Sequence, residues 1–209
     1  MVIMHKNHYS SILFFFLIIV FTIYIIFFNL QTSTKLNEKF KIWGIHMNDI
    51  ENFTINETDR FSISNIQIED ILSTDNSKII KIRRFSNVDR KTSESYVKDR
   101  FLELNSLFTS VSSPYFGVIT QTIECPDEFK PKINEAITSD QNKVTYYILY
   151  ANERFTYGIC SKDLVKYKTL FTFIYCSDKK DLYQFEIFSL PDEPDGNLVK
   201  IISSFKCHL

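Results

Sequence analysis

The longest apolar stretch of the chain is Ser11–Leu30, which carries no charged residue and, after Ser11, has only Thr22, Tyr24 and Asn29 as polar positions. About 20 helical residues rise roughly 30 Å, which is the thickness of the hydrocarbon core of a bilayer. The pattern therefore predicts a transmembrane helix over residues 11–30, in contact with the lipid bilayer. A short N-terminal flank, residues 1–10, precedes it.

A cleaved signal peptide is the alternative, since Lys6 provides a short positive region ahead of the apolar stretch. The apolar core of a secretory signal runs about 7–15 residues and ends at small residues. This stretch is longer, and it is followed by no A-x-A pattern: it ends at Asn29, Leu30 and Gln31. We therefore expect an uncleaved signal-anchor and a single-pass membrane protein.

The remaining chain is predicted to hold a polar connection over residues 31–52 and one domain over residues 53–209. Gln31–Lys41 is polar and is expected to be flexible. Trp43 suits either the membrane interface or the surface of the domain. From Phe53 to Thr74, apolar alternation mixed with Asn and Asp predicts short strands and loops.

Ser93–Val111 has the clearest helical period. Apolar residues recur at spacings of four and three, which places them on one face; they are Val97, Phe101, Leu104, Phe108 and Val111. Thr92 or Ser93 is the expected N-cap. The sequence Ser-Ser-Pro at 112–114 is expected to end the helix, which we predict to pack on a sheet.

Elsewhere the apolar period is two, as in strands. The predicted strands are Lys78–Phe85, Val118–Ile123, Val144–Tyr150, Phe155–Cys160, Leu170–Cys176 and Leu182–Phe188. Short connections between the last four require antiparallel pairing, because parallel neighbours need crossovers of about a dozen residues. The predicted fold class is α+β: an N-terminal transmembrane helix, then an antiparallel β-meander packed against one long amphipathic helix.

Both faces of the meander strands are apolar, which predicts cover on both sides. The long helix covers one face, and the other must meet the N-terminal strands, a partner chain or a ligand. Tyr-rich surfaces suit recognition, because each ring offers a large contact area with a polar tip. We therefore consider a binding face of Tyr146, Tyr150, Phe171 and Tyr175. The alternative is a self-contained core.

The orientation of the domain rests on two opposed signals. Lysines at 35, 39 and 41 outnumber Lys6 across the apolar stretch, which favours a cytoplasmic domain. The chain also has four cysteines, all after that stretch and none in a C-x-x-C pair: Cys125, Cys160, Cys176 and Cys207. An even number of cysteines suits disulfide bonds in an oxidising compartment. Because long domains translocate largely regardless of charge, we expect the domain on the exported side, whether periplasmic, extracellular or lumenal.

The disulfide pairing can be narrowed by geometry. If the strands ending at Cys160 and Cys176 are antiparallel neighbours, the two residues lie at opposite edges of the sheet and cannot form a bond. Two pairings remain: Cys125–Cys160 with Cys176–Cys207, and Cys125–Cys176 with Cys160–Cys207. We prefer the first.

Composition argues against several functions. The net charge of -1 argues against nucleic-acid binding and against bulk attraction to an anionic membrane. Four glycines leave little scope for phosphate-binding loops. The sequence offers no catalytic, cofactor or metal motif and no evident small-molecule ligand. Lys81, Arg83 and Arg84 form either a basic binding strip or, more simply, a charged edge strand.

The predicted function is an accessory, assembly or binding role at a membrane surface, with another membrane or exported protein as the partner. The alternative is a membrane-tethered hydrolase whose carboxylates pair only in space. Its candidates are three acidic clusters, Glu69-Asp70, Asp127-Glu128 and the segment 192–196. An exposed turn between Phe188 and Leu198 is the favoured explanation of the last cluster. Of the two functions, a binding role is favoured over an enzymatic one.

Overall fold

The computed structural model describes Ile19 and residues 35–207, except for 76, 110, 113–121, 124–125, 154–155, 158–162 and 164. The predicted transmembrane segment 11–30 lies outside these residues apart from Ile19. Among the helices that are described, none has the length and apolar character needed to cross a bilayer. Residues 35–209 form one compact unit.

The described part of this unit is an α+β domain with an antiparallel sheet. Its helices are α1 (Leu36–Trp43), α2 (Arg90–Thr109) and α3 (Asp195–Ser203). Its strands are β1 (Thr54–Ile63), β2 (Ile66–Thr74), β3 (Ile79–Ser86), β4 (Val111–Ser112), β5 (Thr122–Ile123), β6 (Lys132–Ile137), β7 (Lys143–Glu153), β8 (Thr156–Tyr157), β9 (Tyr167–Cys176) and β10 (Asp181–Ser189). The main sheet has the order β1-β2-β3-β10-β9-β7-β6, and β8 pairs with β7.

The central strands β9 and β10 are covered on both faces, which explains why residues pointing to either face are apolar. In β10 every residue is buried, and in β9 all but the terminal Tyr167 and the near-terminal Tyr175 are. One face of the sheet packs against α1, α3 and the segment between Ile45 and Phe53. The other packs against α2. The prediction of cover on both faces is confirmed, and described segments of the chain itself supply that cover.

The N-terminal strands differ from the prediction. Residues 53–74 do not form short strands and loops; they form the long hairpin of β1 and β2, paired from Thr54–Thr74 to Ile63–Ile66. The hairpin extends the same sheet, because β3 pairs with β2 on one side and β10 on the other. Strand β3 is therefore an interior strand, and the interpretation of its cations as a charged edge is wrong.

The segment assigned to a connection, residues 31–52, contributes to the core from Leu36 onwards. Leu36, Phe40 and Trp43 are spaced by four and three residues and are all buried. The backbone N–H of Leu36 donates to the carbonyl of Phe53 at 3.0 Å, which ties α1 to the start of β1. An apolar stripe of three positions was enough to form a helix because the sheet covers it.

The helix predicted at Ser93–Val111 is present as α2, but it begins earlier, at Arg90, and ends at Thr109, so Val111 lies in β4 and not in the helix. Its N-cap is Asp89, rather than Thr92 or Ser93: one carboxylate oxygen accepts from the backbone N–H of Thr92 at 2.9 Å and the other from the Thr92 hydroxyl at 2.8 Å. Leu104 is fully buried, whereas Val97 and Phe101 are half-buried. The side chain of Phe108 lies outside the description.

The C-terminal region contains a helix that the sequence pattern did not predict. The predicted turn is present at residues 191–193, with Asp192 exposed, but α3 begins directly after it at Asp195 and buries Leu198, Ile201 and Ile202. Cys176, at the end of β9, forms a disulfide bond with Cys207, with the two Cα atoms 5.4 Å apart. Half of the preferred pairing is thus confirmed; Cys125 and Cys160 lie outside the described residues.

The pairing of the β8 segment also differs from the assumption behind the disulfide argument. We assumed that Phe155–Cys160 neighbours Leu170–Cys176. In the structure β8 pairs with β7, and β9 lies between β7 and β10. A Cys160–Cys176 bond was disfavoured because the two strands were taken to be antiparallel neighbours. The strand order removes that reason.

Candidate functional site

The four residues proposed as a binding face do not share one surface. Tyr146 is buried in the core beneath α1 and α3, whereas Phe171 is fully buried beneath α2. Tyr150 and Tyr175 are half-buried. The Tyr175 hydroxyl donates to the carbonyl of Val88 at 3.0 Å, and the Tyr150 ring lies 6.0 Å from that of Phe129. Of the four, only Tyr175 lines the larger cleft described next.

A cleft of about 560 Å³ lies between the N-terminal half of α2 and the sheet. We call it the aromatic cleft and define its floor by the half-buried Val97, Phe101 and Tyr175 and the buried Phe173. The other lining residues are Arg90, Ser93, Glu94, Lys98, Asn142, Lys143, Val144, Thr145, Ile174, Ser177 and Leu182. Its volume is in the range of protein ligand sites, about 300–1,000 Å³.

Ring packing fixes the position of the cleft floor. The ring of Phe101 lies 4.5 Å from that of Tyr147 and 5.4 Å from that of Phe173. One turn earlier on α2, the ring of Tyr96 lies 4.8 Å from Phe85. Offset and edge-to-face contacts of this kind favour defined ring orientations. The floor is therefore a preformed apolar surface.

A buried polar group reinforces this attachment of α2 to the sheet. The Tyr96 hydroxyl donates to Gln184 at 3.3 Å, and Gln184 donates to the carboxylate of Glu186 at 2.7 Å. Burial raises the pKa of Tyr96 above its usual value, so its hydroxyl remains a donor at neutral pH. Polar groups buried in this way are stable only when paired. Tyr96 thus fixes the register of α2 over β10.

The rim of the aromatic cleft is predominantly cationic. Arg90, Lys98 and Lys143 line it, together with one carboxylate, Glu94. Arg90 and Glu94 form an ion pair at 2.9 Å, and Lys143 pairs with Glu135 at 2.5 Å. These pairs are exposed and contribute little to stability. An apolar floor inside a basic rim fits an apolar segment that carries acidic residues.

A second cleft, of about 460 Å³, lies on the opposite face beside α1, and we call it the Trp43 cleft. Its lining residues are Lys39, Ile42, Trp43, Arg60, Phe61, Ser62, Gln67, Ile68, Glu69, Arg84 and Ser86. The indole N–H of Trp43 donates to Glu69 at 3.2 Å, and the guanidinium of Arg84 lies 5.3 Å from the Trp43 ring. Trp43 is only 4% exposed, so it docks on the domain.

Glu69 is the anionic centre of the Trp43 cleft. Lys39 lies 2.5 Å and Arg60 2.9 Å from the same carboxylate oxygen of Glu69. Burial by itself raises the pKa of Glu69, but the hydrogen bonds and charges of Lys39 and Arg60 outweigh burial and hold it below its usual value. The carboxylate is therefore ionised at neutral pH.

The basic strip of β3 is neutralised by its neighbours. Lys81 lies 4.0 Å from Glu186, Arg83 pairs with Asp70, and Arg84 with Asp181. The Arg83 and Asp70 side chains meet through two hydrogen bonds, at 2.7 and 2.6 Å, which raise the pKa of Arg83 further. The strip is thus a set of cross-strand ion pairs.

Among the described residues, the two buried acids of β10 and the adjacent acids of β2 each point to opposite faces of the sheet. Asp181 and Glu186 are both buried on β10, but Asp181 contacts Tyr183 and Arg84 on one face, and Glu186 contacts Gln184 on the other. Glu69 and Asp70 also point to opposite faces, towards Lys39 and Arg83 respectively.

The other described acidic candidates and the described histidine are exposed or already paired. Asp127 and Glu128 are exposed on a short 3₁₀ turn, and Asp195 pairs with Lys168 at 3.0 Å. His46 contacts Asn48 at 2.8 Å, and His208 lies outside the description. Within the described part of the chain, no group of acidic, histidine or cysteine residues has the arrangement of a metal site.

Sequence reasoning missed both clefts for different reasons. The spacing of Leu36, Phe40 and Trp43 was a visible signal for α1, which lines the Trp43 cleft. The aromatic cleft arises where the β6–β7 turn approaches α2, and no local pattern encodes that approach. No protein-family model, curated protein or solved structure matches this chain.

Proposed function

We propose that this protein is a single-pass membrane protein that presents its α+β domain at a membrane surface and binds another membrane or exported protein. The aromatic cleft carries this proposal, because it leaves Val97, Phe101 and Tyr175 half-exposed above an otherwise closed core. The anchor is the apolar segment 11–30, whose length and composition suit a membrane span.

The occupant of the cleft is a segment of the partner protein with apolar side chains and nearby carboxylates. Apolar side chains would be removed from water on the aromatic floor, which contributes about 25 cal/mol for each Å² buried. The rings are already ordered, so binding loses little side-chain entropy there. Lys98 and Lys143 on the rim attract the acidic residues and favour the correct orientation.

Cross-linking from the cleft rim tests this function. A photoreactive amino acid at position 98, on the rim, should cross-link a defined partner in membranes, whereas one at position 102 should not. Leu102 is the matched control, because it is 57% exposed on the same helix but does not line the cleft.

Charge reversal provides the second arm of the test. Lys98→Glu with Lys143→Glu should abolish the cross-link without changing the melting temperature, and Lys132→Glu on β6, another exposed lysine, should not. Equal cross-linking from positions 98 and 102, or full binding after charge reversal of the rim, would contradict the proposed function.

The disulfide bond Cys176–Cys207 supports placement of the domain on the exported side, since such bonds persist in oxidising compartments. A protease that cannot cross membranes should digest the domain only from the exported side of oriented vesicles. Non-reducing peptide mapping of protein from its native compartment should recover residues 176 and 207 in one linked peptide. Free thiols at both positions, with digestion only from the cytoplasmic side, would reverse the placement.

A further inference from the structure

We propose that the side chain of Asn52 accepts an N-linked glycan on the exported side of the membrane, and that Asn56 is not modified. This inference rests on the proposed placement of the domain on that side and does not depend on either cleft. Two segments have the acceptor pattern N-x-S/T, residues 52–54 (Asn-Phe-Thr) and residues 56–58 (Asn-Glu-Thr). The pattern is short, so the position of each asparagine in the fold decides between them.

Asn52 lies at the tip of a turn between α1 and β1. The backbone N–H of Phe53 donates to the carbonyl of Ile50 at 3.1 Å, which closes the turn over Glu51 and Asn52. Ile50 and Phe53 are each 1% exposed and belong to the core cluster beneath α1 and α3. The core therefore holds both ends of the turn, and its two middle residues are exposed.

The Asn52 side chain is available for a bulky substituent. Among the described residues, none forms a hydrogen bond or an ion pair with this side chain. The carbonyl of Phe53 accepts from the backbone N–H of Leu36 at 3.0 Å, which fixes the turn against the start of α1. A glycan is bulky and hydrophilic, so it suits an exposed turn of this kind. Its attachment at Asn52 breaks no contact of the described fold.

Asn56 has a different environment, within β1 at the irregularity between Ile55 and Glu57. Its Nδ2 donates to the hydroxyl of Thr74 on β2 at 2.9 Å, and that hydroxyl lies 3.3 Å from Oδ1 of Asn56. A glycan on Nδ2 would crowd Thr74 and compete with this contact, at the point where β1 begins to pair with β2. The fold therefore favours Asn52 as the acceptor.

The transfer step requires a lipid-linked oligosaccharide as the glycan donor. Nδ2 of Asn52 forms a bond to the anomeric carbon of the first sugar, and the bond from that carbon to the lipid phosphate breaks. The lipid phosphate leaves with the bonding electron pair, and Nδ2 gives up one proton to a base of the transferase. No group is oxidised or reduced. The Thr54 hydroxyl completes the pattern that the transferase recognises.

A glycan at Asn52 is placed beside an exposed edge of the sheet. Strand β1 is an edge strand, and apart from its first two residues every residue of β1 is exposed. An uncovered edge pairs readily with other chains. A hydrophilic glycan two residues before β1 opposes such pairing. Because Ile50 and Phe53 pack on the face opposite α2, the glycan leaves the aromatic cleft open.

Mass spectrometry of the full-length protein from its native membranes tests the assignment. Electron-transfer fragmentation leaves glycans attached, so it assigns the modified residue even though both asparagines lie in one tryptic peptide. We expect carbohydrate on Asn52 and none on Asn56. Asn52→Gln should remove the glycan. Asn56→Gln is the matched control, the same substitution four residues away, and should leave the glycosylated fraction at Asn52 unchanged.

Substitutions at Thr54 separate the acceptor chemistry from the structure of the turn. Thr54→Ser keeps the hydroxyl and should keep the glycan. Thr54→Val keeps the branched shape without the hydroxyl, and should abolish the glycan although Asn52 itself is unchanged. Melting temperatures of the two variants after removal of the glycan should agree, which shows that the loss is not caused by unfolding.

The outcomes distinguish the glycan from the placement of the domain. An unmodified Asn52 in a domain that a protease digests only from the exported side overturns the glycan and leaves the placement intact. An unmodified Asn52 with digestion only from the cytoplasmic side overturns both. A glycan on Asn56, alone or together with one on Asn52, overturns the choice between the two sites. A glycan that persists in Thr54→Val overturns the assignment of the acceptor pattern.

Discussion

Arg84 donates two hydrogen bonds to a single carboxylate oxygen of Asp181, from Nε at 3.0 Å and from Nη2 at 2.7 Å. The Tyr183 hydroxyl donates to the same oxygen at 3.1 Å. Burial and the Asp181 charge raise the pKa of Tyr183 well above its usual range, so this hydroxyl keeps its proton. The pair joins β3 to β10, and β3 in turn carries the N-terminal hairpin of β1 and β2.

Removal of Asp181 should destabilise the domain strongly. The Asp181 side chain is 3% exposed and that of Arg84 is 23% exposed, so Asp181→Ala leaves a largely buried cation without its partner. We expect a loss of about 2–4 kcal/mol in the free energy of unfolding, measured by urea denaturation.

The double variant with Arg84→Ala serves as the control, because it removes both charges. It should lose at least about 0.5 kcal/mol less than the sum of the two single variants. Strict additivity would mean that the two side chains do not interact in solution.

Two leucines on α2 test which face of the helix packs on the sheet. Leu104 is fully buried, and Leu102 is 57% exposed. Leu104→Ala should lose about 2–5 kcal/mol of unfolding free energy, because it leaves a cavity in the core. Leu102→Ala is the same substitution two residues away and should change stability by no more than about 0.5 kcal/mol. Similar losses at both positions would show that α2 does not pack on the sheet through the face that carries Leu104.

The sequence predicted the central strands and α2 because their periods are long and regular. Val144–Tyr150 and Leu182–Phe188 are apolar on both parities, and that pattern requires cover on both faces. The pattern did not show which segments supply that cover. Both α1 and α3 are short, and in isolation helices of that length are marginal. Their stability comes from the sheet beneath them, which no local pattern records.

The position of β3 shows a second limit of sequence reasoning. A strand containing Lys81, Arg83 and Arg84 has the pattern of an edge, where charges prevent aggregation. The three carboxylates that neutralise it lie on β2 and β10, up to 105 residues away in sequence for Lys81 and Glu186. Only the sheet order reveals these pairs. The same long-range pairing decides which acidic residues lie on one face of the sheet.

Two glycines offer a matched test of backbone strain. Gly44 ends α1 with a φ of 63°, a left-handed conformation that disfavours side chains, and a Cβ there would contact Nζ of Lys179. That ammonium donates to the carbonyls of Trp43 and Gly44. We expect Gly44→Ala to lower the unfolding free energy by about 1–2 kcal/mol.

Gly196 lies in the first turn of α3, where a Cβ would have no neighbour within 4 Å. Gly196→Ala should therefore leave stability unchanged or raise it by up to about 1 kcal/mol, since alanine favours the helix. Thermal melts of the two variants measure the contrast. A neutral Gly44→Ala variant would show that the end of α1 does not adopt the left-handed conformation.

The Trp43 cleft predicts a dependence of stability on pH. Because Lys39 and Arg60 hold the pKa of Glu69 below its usual value, the folded protein binds a proton at this carboxylate less readily than the unfolded chain does. The contribution of Glu69 to stability is therefore complete above the unfolded pKa of about 4.3, and is lost as the pH falls through the lower folded pKa.

Glu69→Gln removes this titration and should flatten the decline in unfolding free energy below about pH 4.5, measured by denaturant titrations between neutral and acidic pH. Glu57→Gln is the matched control, because Glu57 is an exposed glutamate on the neighbouring strand β1. The control should retain the decline seen in the unmodified protein. If Glu69→Gln declines as steeply as the control, the carboxylate is not held by Lys39 and Arg60, and the base of the Trp43 cleft differs from the structure described.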